Sequence, residues 1–173
     1  MSWKAVAVTT VGSRARRGAV LVTGMSGTGK TAVLDELCRR GHRVVDTDDP
    51  GWVIEARTPD GPEPVWDVER IAALLDEHGT GLLFVAGCVA NQSLLYDQFD
   101  AVVLLSAPID VLLRRVANRA NPFGSTAKDR AKIASDVTKF EPRLRADADH
   151  EIETTKPVFL VATELEQLVA ALR

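Results

Sequence analysis

Gly24-Met25-Ser26-Gly27-Thr28-Gly29-Lys30-Thr31 satisfies G-x-x-x-x-G-K-[ST] at every fixed position. Glycines let such a turn curl until its N–H groups form an inward-facing anion nest. The helix that follows adds the partial positive charge of its N-terminus. Lys30 is then placed to reach the terminal phosphates of a nucleotide, and Thr31 to offer its hydroxyl to Mg2+. The expected nucleotide-binding set is Gly24, Gly27, Thr28, Gly29, Lys30, Thr31 and the adjoining Ala32. The bland alternative is a glycine-rich strand–helix turn that holds nothing. A chance match in a chain of this length is roughly one in a hundred.

A second group of chemistry-bearing residues is Val44-Val45-Asp46-Thr47-Asp48-Asp49. In an open parallel sheet the carboxyl ends of strands line the ligand crevice. Carboxylates there can hold hydrated Mg2+ or take a proton from a substrate hydroxyl. Asp46 and Asp48 are two apart and share a side if the strand continues; otherwise they cap a turn before Pro50-Gly51. Asp49 reads as a cap or a solvated residue. A third group is basic: Arg114, Arg115 and Arg119, of which the last two are four apart and share a helix face. Guanidinium groups at that place can offset charge on a transferring phosphate, or they are a comfortable basic helix end. Trp52 and Trp66 can stack on a flat substrate or pack a flap onto the body. Asn91 and Gln92 can bind substrate or cap a short helix at Asn91–Gln98.

Elements must exist to hold these groups. Apolar runs of strand length recur at Ala19–Thr23, Arg43–Val45, Leu82–Ala86, Val102–Leu105 and, more weakly, Glu151–Glu153. Helix-period segments alternate with them at Lys30–Arg40, Val68–His78, Ile109–Arg119 and Ala127–Phe140. Thr163-Glu164-Leu165-Glu166 reads as a capping box opening a last helix to about Leu172. The alternation predicts an α/β fold: a five-stranded parallel sheet covered by helices on both faces. Asp49–Pro64 carries four prolines and two glycines and reads as a loop or mobile flap, 49–66. The polar stretch 117–128, with Asn121-Pro122-Phe123-Gly124, reads as a lid. Residues 1–17 read as a basic tail or an added edge strand, and 18–173 as one domain.

Composition narrows the class. The chain has 173 residues, 46% hydrophobic and 26% charged, enough to bury a core without staples. A formal net charge of -3 argues against a general nucleic-acid binder. No apolar run spans a bilayer, and no secretory h-region is expected at the N-terminus. Cys38 and Cys88 have no metal-like spacing and read as free buried thiols of a reducing, cytoplasmic compartment. His42, His78 and His150 are isolated.

The glycine-rich loop, the strand ending in Asp46-Thr47-Asp48 and the later arginine-bearing helix–lid–helix resemble the shikimate kinase and nucleoside monophosphate kinase group of small P-loop kinases. The resemblance runs from about Ala19 to Leu172. It implies a three-layer P-loop sandwich with strand order 2-3-1-4-5, and ATP and Mg2+ as cofactors. It implies that Asp46 lies near the metal and that Asp48 binds the acceptor hydroxyl and serves as base. It further implies that Arg115 stacks on adenine and Arg119 contacts the transferring phosphate. Arg145, with Arg143 as runner-up, would point into the acceptor pocket. Thr154–Pro157 would fall where relatives contact adenine. Ala86-Gly87-Cys88 stands where shikimate kinases carry three glycines, which puts Gly87 at the acceptor. Glu69, beside Arg70, stands where they carry an arginine, and Gly87–Asn91 replaces the Asp-Gly-Phe-Pro-Arg-like segment of nucleoside monophosphate kinases.

The expected activity is therefore transfer of the γ-phosphate of ATP to a small hydroxyl- or phosphate-bearing molecule, by a monomer or homodimer that engages neither nucleic acid nor membrane. The alternatives are a P-loop hydrolase or switch and an ATP-binding regulatory module. No Asn-Lys-x-Asp guanine motif occurs, and Leu82–Ala86 ends without the acidic residue a motor would need.

Overall fold

A computed structural model of the protein describes residues 18–118 and 126–172. Its strands are β1 (Ala19–Thr23), β2 (Arg43–Asp46), β3 (Val53–Thr58), β4 (Gly61–Trp66), β5 (Leu83–Ala86), β6 (Ala101–Ser106) and β7 (His150–Glu153). Its helices are α1 (Lys30–Arg39), α2 (Val68–Glu77), α3 (Ile109–Ala117), α4 (Ala127–Asp147) and α5 (Val158–Ala171), with a 3-10 segment at Gln92–Gln98. Five strands form one parallel sheet in the order β2-β5-β1-β6-β7. Counted along the chain as parallel strands, this is the expected 2-3-1-4-5.

The side-chain alternation of β1 explains the layers. Val20 and Val22 join Val33 and Leu37 of α1 and Val161 and Leu165 of α5 in one core. Ala19 and Leu21 face the opposite way, onto Ile71 and Leu75 of α2 and Leu95 of the 3-10 segment. All five residues of β1 are buried, as the central strand of a doubly covered sheet requires. The edge strands β2 and β7 are only partly buried.

Four expectations need correcting. Part of the proline-rich flap is an antiparallel hairpin, β3–β4, in register from Val53–Trp66 to Thr58–Gly61. The prolines Pro62 and Pro64 fit because a two-stranded ribbon leaves a free edge where no N–H is required. Helix α4 does not stop at Phe140; it continues through Pro142 to Asp147, forgoing one backbone hydrogen bond. Helix α5 starts at Val158, directly after Pro157, so Thr163 is internal and its hydroxyl donates to the Phe159 carbonyl (2.9 Å). Cys38 and Cys88 are exposed: Cys38 sits one step past the buried Leu37, and Cys88 lies beyond the end of β5. Among the described residues no helix is long and apolar enough to cross a membrane.

Candidate functional site

The glycine-rich loop joins β1 to α1 and is wedged under the neighbouring elements. Gly24 has φ of 151°, and a Cβ there would lie 2.4 Å from the Leu105 carbonyl oxygen. Gly27 has φ of 90°, with the Leu112 carbonyl 2.9 Å from the same imagined atom. Only glycine meets both demands. Helix α1 opens on Gly29 with no side-chain cap and no acidic residue in its first turn. Its leading N–H groups and dipole are therefore open to an anion. Lys30 Nζ donates to the Gly24 carbonyl (2.5 Å) and the Met25 carbonyl (3.3 Å), so its ammonium lies over the loop.

Thr31 Oγ1 donates to Asp46 Oδ2 at 2.9 Å, bringing the first turn of α1 and the end of β2 together. A hydroxyl and a carboxylate in contact at the mouth of a phosphate loop suit the hard-oxygen preference of Mg2+. Strand β2 ends at Asp46, and a turn follows, closed by Asp49 N–H on the Asp46 carbonyl (3.2 Å). Asp48 is therefore not the next same-side residue of a strand. Its N–H donates to Asp46 Oδ1 (3.1 Å), while its carboxylate stands exposed on the turn. Asp49, read as a cap or a solvated residue, joins Thr31, Asp46 and Trp52 in lining a cavity of about 430 Å³.

On the other side of the loop, Arg115 of α3 donates to Gly27 O (3.3 Å), to Thr154 Oγ1 (2.9 Å) and to the Thr154 carbonyl. A cavity of about 220 Å³ lies there, lined by Gly29, Ala32, Arg115, Thr154, Lys156 and Val158 among others. The two segments expected at adenine thus meet. Arg114 points outward and pairs with Asp110 (3.2 Å).

A third cleft, about 300 Å³, begins at Met25 of the loop. It runs between Glu63 of the β3–β4 hairpin, Cys88–Tyr96 and the C-terminal half of α4. Trp66 does not offer its face to a substrate. It is buried, and its indole N–H donates to Thr47 Oγ1 (2.9 Å), which itself donates to the Ala86 carbonyl (2.8 Å). Gly87 is packed beneath that pair: a Cβ would lie 2.2 Å from Thr47 Oγ1 and 2.9 Å from Trp66 Cζ2. Gly87 thus makes room for the anchor and does not line the cleft. Trp52 is partly buried beneath the Arg70 guanidinium, 4.5 Å from its ring centroid.

Asn91 does not cap the 3-10 segment with its side chain. Its Oδ1 accepts from Trp66 N (2.8 Å) and its Nδ2 donates to Trp66 O (3.0 Å), so it pairs with the hairpin as a strand would. Gln92 is buried, bonded to Thr23 Oγ1 and donating to the Tyr96 hydroxyl (2.7 Å). Arg145, preferred from sequence for the acceptor pocket, lies elsewhere. It is held by Glu141 (2.7 Å) and Glu151 (2.8 Å), on the side of α4 that meets β7. Arg143 lines the cleft instead, with Asp147 3.8 Å away. Helix continuation past Phe140 turns Arg145 about 200° from Arg143. Tyr96 and Glu63 are cleft residues that sequence reasoning missed; neither stands in a motif. Arg119 and residues 121–125 of the expected lid tip, 121–126, lie outside the described residues, as do residues 1–17, while Thr126 caps α4.

A family model described as an AAA domain matches residues 20–134. No curated protein matches the chain in sequence. Among solved structures, shikimate kinase from Acinetobacter baumannii in complex with shikimate superposes with a TM-score of 0.59 at 20% identity, covering 89% of this chain and 93% of that one. Shikimate kinase from Bacteroides thetaiotaomicron gives 0.55 at 16%, covering 88% and 98%. A gluconokinase from Sinorhizobium meliloti 1021 gives 0.52 at 20%, covering 92% and 95%. These likenesses carry the fold: a parallel P-loop sandwich shared with kinases of small molecules.

Proposed function

The chain belongs to the AAA domain family, and from that premise we propose that it is an ATP-dependent kinase of a small hydroxyl-bearing molecule. The observation that carries this reading is the 300 Å³ cleft that begins at Met25 of the phosphate loop. A nucleotide hydrolase needs only water beside the γ-phosphate. A cleft of this size leading away from the loop suits a second substrate.

In this scheme the loop N–H groups and Lys30 bind the phosphates, and Ala32, Arg115 and Thr154 border the base. Thr31 and Asp46 would hold Mg2+, which when bound would neutralise phosphate charge. The acceptor hydroxyl enters along the cleft, past Tyr96, while Trp52 lines the neighbouring cavity beside Thr31 and Asp46. Asp48 takes its proton as the oxygen bonds to the γ-phosphorus, and the β–γ bridging bond breaks with its electrons leaving on ADP. Arg119 is assigned to the transferring phosphate. The acceptor is the one partner the scheme requires, with no nucleic acid or membrane, and the setting is cytoplasmic.

The test is ADP release from Mg-ATP with and without a broad acceptor set. A kinase shows low basal release and a strong response to its acceptor. The second reading is a nucleotide hydrolase, for which the phosphate loop alone would suffice; rapid release that no acceptor alters would establish it. Against it stands β5, which ends Ala86-Gly87-Cys88 with no acidic residue.

A further inference from the structure

Resting on the kinase reading, we infer that the acceptor is a hydroxyl compound with a flat, apolar body and no negative charge. The cleft's lining carries the inference. Phe140 and Leu144 of α4 line it together with Tyr96, and Phe140 is left 46% exposed. Lys139 Nζ lies 5.1 Å from the Phe140 ring centroid, and the rest of that half-exposed ring gains by being covered with an apolar ligand.

Charge supplies the second half. Among the described residues Arg143 is the one basic side chain lining the cleft, and it already faces Asp147 at 3.8 Å. Nearby cations are engaged elsewhere: Arg145 by Glu141 and Glu151, Arg70 by the Gly51 carbonyl (2.6 Å) and Trp52, and Lys139 over the Phe140 ring, 5.1 Å from its centroid. Asp136 also lines the cleft, but Lys132 neutralises it at 2.5 Å. Glu63, exposed on the hairpin, forms none of the ion pairs found among the described residues. An anionic acceptor would bring its charge beside Glu63, an exposed carboxylate whose repulsion solvent weakens without removing; a neutral or cationic one would not.

Tyr96 supplies the polar contact such a molecule needs. Burial pushes its phenol above its ordinary pKa, so it stays protonated at neutral pH. The hydroxyl oxygen accepts from Gln92, and its own proton has no acceptor among the described residues. That proton is available to an acceptor oxygen.

Three benzyl alcohols differing only in the para substituent test the inference: 4-(aminomethyl)benzyl alcohol, 1,4-benzenedimethanol and 4-(hydroxymethyl)benzoate. Their binding to the full chain, loaded with Mg2+ and a non-hydrolysable ATP analogue, is measured by ligand-observed NMR. The amine and the diol are expected to bind at least about tenfold more tightly than the benzoate. Glu63→Lys, an exposed change on the hairpin, should move the amine-to-benzoate ratio by about tenfold or more toward the benzoate. Equal or tighter benzoate binding overturns the inference, as does no binding of any of the three at about 10 mM. The order is read from binding alone. Failure of the kinase reading would instead appear as ATP binding without phosphate transfer to any acceptor.

Discussion

Lys30→Ala is expected to cut turnover at least about tenfold and leave the fold intact, with a small change in thermal unfolding temperature from its two hydrogen bonds to loop carbonyls, because its ammonium acts on phosphate and fills no core position. A steady-state assay beside a melting curve checks both halves. Asp48→Asn keeps the side chain's size but cannot accept a proton. It should lower the transfer rate by roughly 10²–10⁴-fold with ATP affinity nearly unchanged, read by single-turnover kinetics. Asp46→Asn should raise the Mg2+ concentration needed for half-maximal rate, since Asp46 touches Thr31 at 2.9 Å. If Asp48→Asn moved the Mg2+ requirement instead, the two roles would be exchanged. The phosphate-binding residues were legible in sequence because a nest of N–H groups needs glycines at fixed spacing. Arg145 was not, because two helical residues 200° apart look alike until the helix phase is known. Tyr96 and Glu63 owe their place to tertiary packing alone.

The elements that sequence reasoning found are those with strong periodicity: the five parallel strands and the apolar faces of α1 and α2. It missed the β3–β4 hairpin because Pro59, Pro62 and Pro64 mask a strand pattern that only a two-stranded ribbon tolerates. That hairpin depends on Trp66, and Trp66 depends on the glycine beneath it. Gly87→Ala would place a methyl 2.2 Å from Thr47 Oγ1. It is expected to cost about 1–3 kcal/mol in denaturant unfolding. Another element-scale contact joins α4 to β7. Hydrogen bonds from Arg145 hold the Glu151 carboxyl below its ordinary value of 4.5, against the opposing effect of partial burial. A depressed carboxylate stabilises the folded state above its unfolded pKa, and the contribution is lost as pH falls from there through the folded value. Denaturant midpoints measured on either side of pH 4.5 should show this loss, and Arg145→Ala should diminish it.

At the scale of the molecule, three clefts converge on one loop: one beside Thr31 and Asp46, one beside Arg115, and one beginning at Met25. Saturation with Mg-ATP at a hundred times its dissociation constant should raise stability by about 2.7 kcal/mol, measured by thermal shift. No gain in Mg-ATP would leave the loop an empty turn. The fold-level expectation succeeded because right-handed crossovers allow few orders for alternating strands and helices. The 300 Å³ cleft stayed hidden because its walls come from the hairpin, the 3-10 segment and α4, which no single motif spans. The Asn91–Trp66 pairing has a consequence for inheritance. It fastens the hairpin by its base, at Trp66, and leaves Val53–Val65 without a part in the phosphate loop. On the proposed kinase reading, such a segment is free to change: its outer residues could be rewritten to suit a new acceptor with the nucleotide machinery left untouched.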